Sequence, residues 1–202
     1  IDKLASLVAE VDGDAHGCDV TDPDQVKALF AWATSTHGVP ELVVFNASSR
    51  VRGPIAEMYP LAVRDAVLIT AYGGFLVGQA AAQAMLPRGS GSIFFTGASA
   101  SVKGYVNSAT FAMGKFGLRG MVQSMARELA PQGIHVGHFI IDGGIGESDP
   151  DAPSKLHPDD IAESYFHLHH QPRSAWTWEL EPRPTVQKSG TRATGSRPLP
   201  GP

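Results

Sequence analysis

Hydrophobic positions along this chain alternate between two rhythms, one of helical period and one of short unbroken runs. Residues 2–11 carry Leu4, Leu7 and Val8 on one helical face, and residues 24–36 carry Val26, Leu29, Phe30 and Ala33 at the same spacing. Thr21 is placed to cap the second of these helices, with Pro23 near its start. Long helical patterns cover residues 59–86 and 108–130, and a last one covers 158–170 with Pro158 in its first turn. Between them stand segments of strand length. These are residues 15–20, 41–46 with Leu42-Val43-Val44-Phe45, 92–96 with Ile93-Phe94-Phe95, and 134–141 after Gly133. Runs without polar alternation suit strands covered on both faces, as in parallel sheets. Strands alternating with helices predict βαβ units and a doubly wound, Rossmann-like α/β domain over residues 1–171.

Beyond residue 171 the rhythm stops, and Pro172, Pro182, Pro184, Pro198, Pro200 and Pro202 stand among Arg, Ser, Thr and Gly. Trp176 and Trp178 are too costly to leave in water, so residues 172–187 are expected to pack on the domain or on a neighbouring subunit. Residues 188–202 lack the apolar surface to offset ordering and are expected to be disordered. The chain shows no internal repeat.

Composition narrows the options. At 202 residues and 43% hydrophobic, the chain is long enough for one domain with a core. A net charge of −4, with basic residues scattered, argues against nucleic acid or an anionic membrane as partner. Cys18 stands alone, which excludes an internal disulfide and fits a reducing, cytoplasmic setting; its expected role is a small apolar side chain. No run of ~18 apolar residues exists, because Arg64, Asp65, Gln79 and Gln83 interrupt residues 62–85, so no membrane span is expected. No signal peptide opens the chain, and its first residue, Ile1, points to a fragment cut upstream.

An ordered series of short motifs then carries a resemblance. Cys18-Asp19-Val20-Thr21-Asp22 is followed by Phe45-Asn46-Ala47-Ser48 after the second apolar run. Gly91-Ser92-Ile93 opens the next strand, and Ala112 to Lys115 leads into Phe116-Gly117-Leu118-Arg119-Gly120. Ser124-Met125-Ala126-Arg127-Glu128-Leu129-Ala130, Pro131-Gln132-Gly133-Ile134-His135-Val136 and Asp142-Gly143 complete it. In order and spacing, residues 1–146 resemble the short-chain dehydrogenases/reductases. The resemblance implies an oxidoreductase that moves a hydride between NAD or NADP and a small alcohol or carbonyl. It also implies that Asp19 and Val20 cradle adenine, that Asn46, Ala47, Ser48, Asp142 and Gly143 border the cofactor, and that Lys115 holds the nicotinamide ribose.

In that family a Tyr hydroxyl exchanges the proton at the substrate oxygen, and a Lys one helical turn on lowers its pKa. A Ser polarises the same oxygen, and an Asn props a water beside the Lys. Carried over position by position, Lys115 is present, Phe111 stands at the Tyr, Ala98 at the Ser and Thr70 at the Asn. Phe cannot exchange a proton at any pH, so the family's mechanism is not available as written. Ser99 or Thr96 could supply a hydroxyl, or simply cap the loop; Tyr105 could swing in, or sit on the rim. Ser108 shares the face of Lys115 and could line the pocket.

The family's glycine-rich phosphate turn, which sits at a helix N-terminus, is missing, and with it the first two strands. Those strands are central in the family, so the run 15–20 would stand two strand positions from the next. The chain is therefore expected to misfold or to leave an open apolar edge beside residues 42–45. His167, His169 and His170 cluster on the last helix without a third type of ligand, so no metal is expected. His135 and His138 lie on one strand, where a structural role is expected although His138 could face the substrate side. The resemblance further implies a homo-oligomer through the helices near 59–86 and 108–130, with Ala80, Ala81, Ala82 and Ala84 allowing close approach. An alternative to the enzyme is a non-catalytic nucleotide-binding or scaffold protein of the same fold.

Overall fold

The computed structural model describes residues 2–149 and 151–186. Its centre is a parallel sheet in the order β1 (Leu42–Phe45), β2 (Gly91–Thr96), β3 (Ile134–Phe139) and β4 (Glu179–Leu180). Leu42 pairs with Ser92, Ile93 with Val136, and His138 with Glu179, so each crossover returns the chain to the same end of the sheet. The helices that make these crossovers are α3 (Pro60–Val67), α4 (Gly73–Met85), α5 (Ala109–Leu129) and α6 (Pro158–His169); α1 (Ala5–Val11) and α2 (Pro23–His37) precede β1.

Alternation along β2 explains the layers. Ile93 and Phe95 enter one core with Leu76, Met85, Leu118 and Val122 of α4 and α5. Phe94 faces the other side and meets Phe139, Ile141, Leu168 and Tyr165. The pattern over residues 59–86 is one helical run, but a π-helical turn, Leu68–Tyr72, joins α3 to α4. By length and composition this run, Pro60–Met85, is apolar enough to cross a membrane, contrary to the expectation from its charged interruptions. Its apolar face is that of a core helix: Leu76, Val77, Ala81 and Met85 are buried against sheet and α5.

Three other expectations need correction. Residues 15–20 form no strand, because no neighbouring strand is there to take up their main-chain groups; instead Asp19 and Asp22 close a turn. The cap of α2 is Asp22, whose carboxylate accepts from Asp24 N at 2.9 Å and Gln25 N at 3.2 Å. Thr21 is occupied elsewhere, with its hydroxyl on Asp19. Ala81 and Ala82 turn into the core and are not offered to a partner.

The segment after α6 packs on the domain. Trp176 stacks on His135 with centroids 4.7 Å apart, and β4, which the sequence pattern did not announce, joins the sheet. The ladder continues past it through Ile140 N to Leu180 O at 2.7 Å and Asp142 N to Pro182 O at 3.0 Å. The expected disordered tail, 188–202, lies outside the described residues.

Candidate active site

The carboxyl ends of β1, β2 and β3 open into three loops on one side of the sheet. Two are clamped together: Gly97 N donates to Phe139 O at 2.6 Å and Ser99 N to Ile141 O at 3.2 Å. The third, residues 46–50, is pinned by Ser49 N donating to Thr70 Oγ1 at 3.0 Å. Thr70 sits in the π-helical turn, 1% exposed, with α5 passing at Gly114. A Cβ at Gly114 would come within 2.8 Å of Thr70 Cβ, so glycine is what lets the two helices meet here.

Phe111 and Lys115 lie one turn apart on α5. Lys115 is 3% exposed, and its Nζ donates to the Thr96 carbonyl at 2.6 Å. Burial alone pushes its ammonium down from 10.5 to about 8. Among the described residues no carboxylate pairs with it. Its Nζ stands 5.8 Å from the centre of the Phe111 ring, and the Arg50 guanidinium covers the same ring at 4.9 Å. Arg50 also donates through Nη2 to Ser108 Oγ at 3.1 Å.

Ala98, at the position of the family's Ser, offers no side-chain hydrogen bond, and its N–H donates to Ser101 Oγ at 3.2 Å. The Ser99 main chain makes the turn, while its hydroxyl has no partner among the described residues. Thr96 is not free to help: its hydroxyl shares a 2.8 Å hydrogen bond with Tyr165, which burial pushes up to about 12. Tyr105 is exposed at the rim beneath Lys103.

Under this loop runs a buried polar chain that sequence reasoning missed. Ser101 Oγ lies 3.4 Å from His138 Nε2, His138 Nδ1 lies 3.0 Å from Glu179 Oε2, and Arg119 grips both Glu179 oxygens at 2.6 and 2.8 Å. Burial pushes His138 down to about 4, so it is neutral. Its Nδ1–H then donates to Glu179, and Nε2 accepts from Ser101. Burial pushes the Glu179 carboxyl up, but the bonds from Arg119 and His138 outweigh it and hold it below its ordinary value. The composition is that of a hydrolase triad, yet Ser101 and His138 are both fully buried, so the chain braces the loop and presents no nucleophile. A Cβ at Gly97 would run into the His138 ring, which ties that glycine to the same brace. Glu179 had no sequence signal, because β4 pairs through two residues.

The remaining candidates scatter. Asp19 accepts from Thr21 N at 2.9 Å and from its hydroxyl at 2.8 Å, and these bonds hold it below its ordinary value. Val20 packs on Gly73 at the start of α4. Asn46 and Ser48 are exposed and Ala47 half-buried at the end of β1. Asp142 faces Lys103 at 3.7 Å and Arg183 at 3.8 Å, and Gly143 packs on Pro184, so the C-terminal segment engages both. The histidines at the end of α6 serve as hydrogen-bonding groups: His169 meets Ser92 Oγ on β2 at 2.9 Å, and His167 and His170 meet main-chain carbonyls one turn back.

A cavity of about 520 Å³ lies beside the strand ends, lined by Leu42, Val44, Asn46, Thr96, Ile141 and Tyr165 among others. A nucleotide's ribose asks for a donor at this end of the sheet, and Lys115, a buried cation bonded to a carbonyl rather than a carboxylate, fits that demand. A pyrophosphate asks for a glycine-rich turn opening a helix, and the described residues include none.

Comparison with known proteins agrees with this architecture. A family model described as enoyl-(acyl carrier protein) reductase matches residues 2–146. (+)-Borneol dehydrogenase 1 from Salvia officinalis is 32% identical over 138 residues, covering 65% of this chain and 53% of that protein. The 3-oxoacyl-(acyl-carrier-protein) reductase MabA from Mycobacterium avium is 32% identical over 117 residues, 58% of this chain and 46% of that protein. The chain thus spans about half the length of the curated relatives it matches. Among solved structures, a short-chain dehydrogenase from Rhodopseudomonas palustris is 40% identical with a TM-score of 0.80, covering 91% of this chain and 82% of that one. A metagenomic short-chain oxidoreductase in complex with NADP is 25% identical, again with a TM-score of 0.80, covering 93% and 83%. Motif order, parallel sheet and family model coincide over residues 2–146, and the chain belongs to the short-chain dehydrogenase/reductase family.

Proposed function

We propose that this chain belongs to an NAD(P)-dependent oxidoreductase acting on a small alcohol or carbonyl. The observation that carries the reading is Lys115, buried without a counter-charge among the described residues at the strand ends, one turn from Phe111. The nicotinamide, when bound, supplies or accepts the hydride. Lys115 holds its ribose, Asn46, Ala47, Ser48, Asp142 and Gly143 border it, and Asp19 and Val20 stand on the adenine side. Thr70, in the Asn slot, holds the 46–50 loop through Ser49. Phe111 keeps the ring of the family's Tyr but carries no hydroxyl, so the proton at the substrate oxygen is exchanged with water. Exposed Leu68, Tyr72, Phe75, Met113 and Phe116 on the two long helical runs support a homo-oligomeric assembly, and the lone Cys18 is in keeping with a cytoplasmic setting.

A second reading, a nucleotide-binding protein without redox chemistry, draws on the same site: neither Phe111 nor Ala98 carries a group that can exchange a proton. One experiment separates them. The full-length protein is titrated with NADH and NADPH, then assayed on a panel of carbonyls beside Phe111→Tyr/Ala98→Ser and Lys115→Met. Turnover by the unaltered protein, lost in Lys115→Met, is the expected result. Turnover appearing after the double restoration and not before makes the second reading the correct one. Absence of nucleotide binding in every form refutes both.

A further inference from the structure

Arg50 is an exposed arginine held as if it were buried. Its guanidinium lies on the Phe111 ring at 4.9 Å, and one N–H is fixed on Ser108, which is 2% exposed. Ser108 opens α5 without using its side chain as the cap, so its hydroxyl holds Arg50 instead. The loop is pinned on both sides of the arginine, by Ser49 N on Thr70 Oγ1 at 3.0 Å and by Gly53 N on Asn107 O at 3.2 Å. Among the described residues no carboxylate pairs with it. A guanidinium has two forks of paired N–H donors, and a single bond from Nη2 leaves one fork whole. A stacked, pre-oriented fork of this kind matches a planar carboxylate and loses little entropy on binding one. Lys115 lies 5.8 Å from the centre of the same ring, so two cations stand near the position where the family has its phenol.

We propose that Arg50 anchors a carboxylate, so that the compound handled at this site is a carbonyl or alcohol that also bears a carboxylate. The carbonyl half of this statement rests on the oxidoreductase reading; the carboxylate half stands on Arg50. The probe is oxamate, an unreactive mimic of a 2-oxo acid, titrated into the full chain beside neutral oxamide, with the Arg50 Nε–H resonance followed by NMR. Oxamate is expected to shift that resonance and to bind at least about tenfold more weakly to Arg50→Met, while Arg50→Lys recovers part of the loss. Equal oxamate affinity in Arg50→Met, equal affinity for oxamate and oxamide, or no oxamate binding overturns the proposal. Turnover of 2-oxobutanoate against butane-2,3-dione with NADH and NADPH tests the other half. If neither is reduced while oxamate binding still depends on Arg50, the carboxylate anchor stands and the redox reading falls.

Discussion

At the β3 flank all six residues of the strand are buried, β4 adds a parallel partner, and Trp176 stacks over His135. At the β1 flank Val44 is 45% exposed, no described strand lies beyond, and the expected open edge beside residues 42–45 is what the sheet presents. Both are short parallel strands, four and six residues long. What separates them is whether another segment supplies main-chain partners and a cover. On the closed flank a polar group can be buried because its partners come with the segment that closes it. His138 is neutral and bonded on both nitrogens, and Glu179 answers it with Arg119 behind. On the open flank the loops beside Asn46 stay in water.

The comparison breaks most visibly at Glu179. Glu179→Ala leaves Arg119 without its carboxylate and His138 with an unmet N–H, and is expected to cost about 3 kcal/mol in urea unfolding. A loss under about 1 kcal/mol would mean that β4 is not what secures this flank. Next in size is acid sensitivity. His138 has a folded-state value of about 4 against an ordinary 6.5, so the unfolded chain takes up its proton first. Stability is expected to fall by up to about 3 kcal/mol as pH drops from 6.5 toward 4. Glu179, held below its ordinary 4.5, adds to the fall at the acid end of that window and beyond. His138→Gln should flatten the slope between pH 6.5 and 4; an unchanged slope locates the titration elsewhere. Smallest is the open flank itself. Val44→Lys should shift stability by no more than about 0.5 kcal/mol and reduce any edge-to-edge association seen by light scattering. A cost above about 2 kcal/mol would show that this edge is covered in solution.

Much of the fold is legible in the sequence because burial on both faces leaves unbroken apolar runs. Leu42–Phe45 is such a run throughout and Ile93-Phe94-Phe95 forms the centre of Gly91–Thr96, while Ile134–Phe139 carries His135 and His138 among its apolar residues. Residues 15–20 read as a strand and are not, since a segment becomes a strand only when a neighbour pairs with it. Glu179–Leu180 fails in the opposite sense, with two residues and no period to detect, recruited by the edge that β3 offers. For the site, the spacing of Phe111 and Lys115 on one helical face was readable from the chain, and so were the Ala98 and Thr70 slots. Arg50 on Phe111, and Ser101 on His138, join residues 61 and 37 positions apart, and no local pattern foretells such meetings.

The chain by itself therefore determined the family, the parallel α/β architecture and the loss of the phenol at position 111, because these rest on residue identity and on periods of two to four residues. Tertiary structure alone decided where the charges stand. It buried Lys115 without a counter-ion among the described residues, set Arg50 over the Phe111 ring, and enclosed a neutral histidine behind the loop. Desolvation and hydrogen-bond geometry depend on what surrounds a side chain, and those surroundings are assembled from parts of the chain far apart in sequence.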